Sequence, residues 1–296
     1  MTRILLTGRN GQVGWELERC LATLGDVTAL GRDAVDLADP DAIRAVIRAL
    51  RPALIVNAAA YTAVDRAETE PELAMAVNGT APGIMAEEAR RFGAMLVHYS
   101  TDYVFDGEKE GPYVEDDQTG ALNIYGKTKL AGEEAVRSAG SRYLILRTSW
   151  VYGTRGRNFL LTVLRLMKER DRLEIVDDQF GAPTWSRMIA EATAQILARF
   201  VRKGGCAVFA REDSRTYHLS AGGMTSWYGF ASAIADYIHS GDRCRIVPIP
   251  GERYVTAAMR PRNSVMAGDR VFEDFGIKMP DWAVQLKLCL RDKPAV

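Results

Sequence analysis

Arg3-Ile4-Leu5-Leu6-Thr7-Gly8-Arg9-Asn10-Gly11-Gln12-Val13-Gly14-Trp15-Glu16-Leu17 joins an apolar run to a helix-like pattern through a turn with three glycines. The opening run is short, apolar and bounded by glycine, which predicts a buried parallel strand. The glycines follow the spacing Gly-x-x-Gly-x-x-Gly. The first permits a tight turn, the second lets a pyrophosphate approach the backbone, and the third lets the helix lie close to the strand. The first turn of the helix then offers unpaired N–H groups to phosphates. A strand, such a turn and a helix at the head of the chain predict a dinucleotide-binding unit; the plain alternative is a glycine-rich structural turn.

Outward from this unit, strands alternate with helices. Val27-Thr28-Ala29-Leu30 reads as the second strand. An NAD-preferring site would often end it with an acid for the ribose hydroxyls. Here Gly31 and Arg32 follow, and a small residue with a cation suits a 2′-phosphate, so NADPH is expected. Asp33 or Asp36 keeps NADH as the alternative. Asp39 or Asp41 can cap a helix carrying Ile43, Val46, Ile47 and Leu50. Pro52 to Asn57 is the third strand, and Ala58, Ala59 and Ala60 after it are small enough for a flat cofactor to lie against the backbone. A helix through Met75, Ala76, Asn78 and Met85 leads to the strand Ala94 to Ser100. Ser100 and Thr101 stand at its carboxyl end, the edge where open α/β sheets bind ligands. Either hydroxyl could orient a substrate carbonyl. An acidic loop, 110–120, and the strand Tyr143 to Arg147 complete the first half.

Asn123-Ile124-Tyr125-Gly126-Lys127-Thr128-Lys129 carries the chemistry. Tyr125 and Lys129, four apart, share one face of a helix. A free phenol titrates near pH ~10, and a neighbouring ammonium is expected to lower that value. The pair suits proton donation to a carbonyl undergoing reduction. Lys127, two residues on, is expected to be a solvated charge.

Bulk properties narrow the class. The 296 residues are 47% hydrophobic and 26% charged, with 38 basic and 38 acidic side chains and zero net charge. That balance gives no sign of a nucleic-acid or membrane-surface partner. Four cysteines without paired spacing and three histidines predict neither a disulfide framework nor a zinc cluster. A strand-like run from Arg3 leaves no room for a secretory leader, and no apolar run is long enough to span a membrane, so a cytoplasmic protein is expected. The expected architecture is α/β. A Rossmann-type doubly wound parallel sheet occupies 1–153, with returning segments near 178–202. A smaller, discontinuous α/β substrate-binding lobe takes most of 154–296, with a turn at Lys203-Gly204-Gly205.

The glycine turn, the hydroxyl after a later strand, and Tyr-x-x-x-Lys occur in the order of the extended short-chain dehydrogenase/reductase superfamily, which the chain resembles. Finer likeness runs through residues 8–17, 56–65, 98–105, 123–133, 147–152, 178–184 and 260–264. These resemble the dTDP-4-dehydrorhamnose reductase family, which catalyses the last step of dTDP-L-rhamnose synthesis for cell-surface polysaccharide. The resemblance implies roles. Tyr125 would protonate the C4 oxygen, Lys129 would bind the nicotinamide ribose and tune Tyr125, and Thr101 would orient the carbonyl. Asp102, Tyr103 and Trp150 would meet the dTDP-sugar. Gly8, Asn10, Gly11, Gln12, Val13 and Gly14 would form the phosphate turn, with Asp36 and Leu37 on the adenine side. Ala58, Ala59, Ala60, Tyr61, Thr62 and Tyr99 would line the cofactor path.

Two departures stand out. Some members bridge a dimer through magnesium held by glutamates; Glu16 keeps one such place, but Arg187 stands at the other, and a cation there argues against a metal. No metal site is therefore expected, and the chain is expected to be a monomer or homodimer. The second strand also lacks an acid at its end. A sugar-nucleotide dehydratase or epimerase on the same fold is a second reading, but dehydratases follow Thr-Asp with Glu, where this chain has Tyr103. A cofactor-binding regulatory subunit, like that of methionine adenosyltransferase, is the third.

Overall fold

A computed structural model describes residues 1–202, 205–206, 214–238 and 244–292. The central sheet contains β1 (Thr2–Thr7), β2 (Gly25–Leu30), β3 (Leu54–Asn57), β4 (Met95–Thr101), β5 (Arg142–Thr148) and a strand at Arg215–His218. All are parallel, in the order Arg215–His218, β5, β4, β3, β1, β2. The expected doubly wound parallel sheet is present.

Alternation along the strands explains why both faces are covered. Ile4 and Leu6 face one side and pack with Leu17, Leu21, Ile189 and Ile196. Leu5 faces the other and packs with Ile43, Ile47, Ile84 and Met85. A strand buried on both faces reads as a continuous apolar run, which is the pattern of Ile4-Leu5-Leu6. The helix on the second face, Pro40–Leu50, starts at Asp39, whose carboxylate accepts from the backbone N–H groups of Asp41 and Ala42.

Beyond residue 153 the chain builds a second core. Leu160, Val163, Leu164, Trp185, Phe230, Ile234 and Leu286 meet there. They come from the helices Phe159–Glu169, Trp227–Tyr237 and Trp282–Arg291, beside a parallel pair at Arg172–Val176 and Arg245–Ile249. The same half returns to the first sheet twice. The Ser186–Ala198 helix joins the core beside the helix at Gln12–Leu21, and Arg215–His218 pairs with β5. Of the turn expected at Lys203-Gly204-Gly205, the first two residues lie outside the described residues.

One expected helix is interrupted. The segment through Met75, Asn78 and Met85 runs as α-helix at Pro71–Met75, π-helix at Ala76–Thr80 and α-helix again at Ala81–Phe92. Pro82 has no N–H to donate to the carbonyl of residue 78, so the regular ladder cannot continue there. That carbonyl is instead approached by Gly132, where an added Cβ would stand 2.1 Å from it. The register shift lets two helices touch close to the Tyr125–Lys129 pair.

Candidate active site

The chain runs from β1 out to β2, then returns to place β3 on the other side of β1. Ligands of open α/β sheets bind where the order reverses, outside the carboxyl ends of the strands. Thr7 and Asn57 end β1 and β3, and the Thr7 hydroxyl donates to Asn57 Oδ1 at 2.7 Å. From this point a cleft of about 760 Å³ extends to the end of β4 and beyond it to Trp150 and Trp227.

The glycine turn forms one wall. Gly8 has φ +83°, and an added Cβ would meet the backbone of Ala58 and Ala59 at 2.7 Å. The helix at Gln12–Leu21 starts at Gly11 with no side-chain cap and no acid in its first turn. Its first N–H groups therefore remain available to an anion. Gly8, Asn10, Gly11, Gln12 and Val13 line the cleft, as do Arg32, Asp36 and Leu37 at the β2 end. Ala58, Ala59, Ala60, Tyr61, Thr62 and Tyr99 line it further along. These residues fit a dinucleotide carrying a phosphate near Arg32.

Gly14 corrects one expectation. It does not line the cleft; an added Cβ there would stand 2.0 Å from the Gly8 carbonyl oxygen. The third glycine of the motif acts by packing, because helix and turn touch at its Cα. Tyr61 lines the cleft, but its hydroxyl turns away to Glu70 Oε2 at 2.6 Å. Asn78, which sequence reasoning passed over as a helix position, holds this wall to the helix at Ile124–Ser138. Its amide accepts from Tyr61 N–H at 2.8 Å and donates to the Tyr61 carbonyl and to Thr128 Oγ1.

The floor is the Ile124–Ser138 helix, capped by Asn123, whose side chain accepts from Gly126 N–H at 2.8 Å. Glu68 accepts from Ile124 N–H, and an added Cβ on Gly126 would stand 2.2 Å from the Tyr103 carbonyl oxygen. These contacts set the position of Tyr125. Thr101, at the end of β4, lines the same cleft as Tyr125, and its hydroxyl acts to lower the Tyr125 phenol's titration. Alternation along a strand sends the Ser100 and Thr101 side chains to opposite faces. Tyr103 packs edge-on to Tyr125 with ring centroids 5.7 Å apart. Lys127 is exposed.

The electrostatics differ from the sequence reading. Burial pushes the Tyr125 phenol up to about 12, against a smaller opposing effect of the Thr101 hydroxyl. Burial likewise brings the Lys129 ammonium down to about 8. Lys129 Nζ donates to the Tyr99 carbonyl at 2.6 Å. The carboxylate one turn along, Glu133, supports its charge only in part. That carboxylate is already held by Arg147 at 2.8 and 2.9 Å and by Arg137 at 2.6 Å. Desolvation is therefore the largest cause at both groups, and neither group is among the causes of the other's shift.

Asp102 lines the cleft but is 2% exposed. Its carboxylate accepts from Thr101 Oγ1 at 2.8 Å and Ser149 Oγ at 2.9 Å, and burial raises it to about 6. Trp150 has φ +45°, rare for a bulky side chain, and stacks on Trp227 with centroids 3.4 Å apart. Trp227 and Arg157 also line the cleft, and no local pattern in the sequence pointed to either.

Among the described residues no group of His, Cys, Asp and Glu is placed to hold a metal ion. Arg187 pairs with Glu191 at 2.8 Å and with Asp292. No described helix is long and apolar enough to cross a membrane.

A family model described as the RmlD substrate binding domain matches residues 1–294. The chain belongs to this family. A dTDP-4-dehydrorhamnose reductase of Burkholderia thailandensis is 49% identical over 98% of each chain. One of Escherichia coli is 41% identical over 98% of this chain and 97% of its own. A crystal structure of the dTDP-4-dehydrorhamnose reductase of Bacillus anthracis in complex with NADP has a TM-score of 0.89 at 32% identity, covering 99% of this chain and 100% of that one.

Proposed function

We propose that the chain is an NADPH-dependent reductase that converts the C4 ketone of dTDP-4-dehydro-6-deoxy-L-mannose to the alcohol of dTDP-L-rhamnose. The observation that carries this reading is that Thr101, Tyr125 and Lys129 line one cleft with the glycine turn. Near-full-length likeness to dTDP-4-dehydrorhamnose reductases supplies the substrate class.

NADPH, when bound, supplies the hydride. Tyr125 donates the proton to the C4 oxygen, and its raised titration keeps that proton in place at neutral pH. Thr101 orients the carbonyl beside Tyr125. Lys129, still charged below about pH 8, places a positive charge at the end of the cofactor path next to Tyr99. Arg32 favours a 2′-phosphate, and Asp102, Tyr103 and Trp150 shape the sugar-nucleotide end. Tyr103 against the Tyr125 ring supports reduction over dehydration, since a dehydratase needs a carboxylate there. Residues 1–153 with the returning segment near 178–202 serve as the dinucleotide-binding domain, and most of 154–296 as the substrate-binding lobe. The pairing of Arg187 with Glu191 and Asp292 supports action as a monomer or homodimer without bridging magnesium.

The test follows nicotinamide oxidation by purified protein, with dTDP-4-dehydro-6-deoxy-L-mannose generated by an upstream epimerase. NADPH and NADH are compared, with and without magnesium. Rapid NADPH oxidation yielding dTDP-L-rhamnose is the expected result. Tight cofactor binding with no oxidation would refute this reading and favour a regulatory subunit.

A further inference from the structure

The loop at 153–158, Gly-Thr-Arg-Gly-Arg-Asn, leans on the phosphate turn. Asn158 Nδ2 donates to Gln12 Oε1 at 2.8 Å and to the Gly153 carbonyl at 2.9 Å. Gly156 has φ +72°, and an added Cβ would stand 3.4 Å from Gln12 Cγ. Gln12 is the first residue of the uncapped helix, so the loop is held against the place where N–H groups face the cleft.

Its two arginines take different environments. The Arg155 guanidinium lies 3.2 Å from the centroid of the Trp15 ring, which Arg19 also approaches at 3.5 Å. Arg157 lines the cleft, and among the described residues it forms no ion pair and no side-chain hydrogen bond. The other cations lining the cleft are Arg32, at the β2 end, and Lys129, bound to the Tyr99 carbonyl. Of the two acids in the lining, Asp102 is engaged by Thr101 and Ser149, and Asp36 accepts from Ala38 N–H. Arg157 is thus a third cation in the lining, on a loop whose neighbours Gly156 and Asn158 meet Gln12, and it is paired with neither acid of the lining.

We propose that Arg157 binds a diphosphate in this cleft. A guanidinium presents paired donors that match phosphate oxygens, and it stays charged at every working pH. The inference rests on the nucleotide-sugar reading, because the diphosphate can come from two sources, the cofactor's pyrophosphate or the dTDP of the sugar nucleotide. Both share the chemistry that Arg157 recognises.

Arg157→Ala and Arg157→Lys are prepared in the full chain. NADPH binding is titrated by nicotinamide fluorescence and dTDP binding by calorimetry, with thymidine as the phosphate-free control. Arg157→Ala is expected to weaken one diphosphate by about tenfold to a hundredfold, the loss typical of a charge-assisted hydrogen bond. Arg157→Lys should recover part of that loss, and thymidine should stay within about twofold of wild type. A loss on the dTDP arm assigns Arg157 to the substrate, and a loss on the NADPH arm assigns it to the cofactor. Unchanged affinity for both diphosphates overturns the proposal, as does an equal loss for thymidine, which would mean a displaced loop. Wild-type protein that binds NADPH but not dTDP refutes the sugar-nucleotide reading instead, and Arg157 is then judged on the NADPH arm alone.

Discussion

Lys129→Met should make the protein more stable and less active together. Lys129 is 2% exposed, and its ammonium titrates near 8 instead of its ordinary 10.5. The gap of about 2.5 units corresponds to about 3 kcal/mol of stability lost at pH 7, at about 1.4 kcal/mol per unit. Methionine removes that cost and fills a similar shape. It also removes the hydrogen bond from Nζ to the Tyr99 carbonyl, a loss of about 1.5–3 kcal/mol. The net expectation at pH 7 is a gain of about 1 kcal/mol. The sign of the pH dependence follows from linkage. The folded value lies below the unfolded one, so between about pH 8 and 10.5 the unfolded chain holds more protons, and wild-type stability rises relative to the variant. The variant's advantage should shrink through that window and reverse near its upper end, where only the lost hydrogen bond remains. Urea unfolding of both proteins from pH 7 to 10.5 measures this, with NADPH oxidation assayed in parallel. A variant that is less stable than wild type at pH 7, by a margin that does not change up to pH 10.5, would refute the reasoning that Lys129 is a charge held against its solvation.

Tyr125→Phe should keep NADPH affinity and lose turnover by about 10²–10⁴, the usual range for a general acid; near-normal turnover in a steady-state assay would remove Tyr125 from its role. Arg32→Ala should weaken NADPH by about tenfold to a hundredfold and leave NADH unchanged, which fluorescence titration of both cofactors reads directly. Gly14→Ala places a Cβ 2.0 Å from the Gly8 carbonyl oxygen, so unfolding in urea should show a loss of about 1–3 kcal/mol. The same variant should bind NADPH more weakly, because the turn has to shift.

The parallel sheet and most of the cleft were legible because short-range patterns encode them. The Ile4-Leu5-Leu6 run, the glycine spacing and the Tyr125–Lys129 interval are local, and each expresses a backbone or side-chain requirement within a few residues. What escaped depends on distance in the chain. Asn78 joins Tyr61 to Thr128 through a π-helical turn, and nothing near residue 78 except Pro82 signals that turn. Trp227 meets Trp150 from 77 positions away, and Arg157 lines the cleft from a loop that Asn158 ties to Gln12. The mutual effect of Tyr125 and Lys129 was misjudged for a different reason. Spacing places a cation near a phenol, but it does not show how much water the fold removes from both.

The shift bears on the state in which Tyr125 meets its substrate. A phenol moved up to about 12 is protonated at neutral pH, so Tyr125 meets a ketone as a proton donor. It is also a weaker acid than a free phenol, so its proton leaves only for a strong base. The oxygen of a ketone that has accepted hydride is an alkoxide, a stronger base than a phenolate, and proton transfer to it remains downhill even from a phenol near 12. Lys129, still charged below about 8, stands one helical turn along with its ammonium on the Tyr99 carbonyl. The Thr101 hydroxyl, which donates to Asp102, has to turn from that carboxylate to hold the alkoxide oxygen. Burial thus keeps the proton on Tyr125 until a base stronger than its phenolate stands beside it, and the alkoxide left by hydride transfer is such a base.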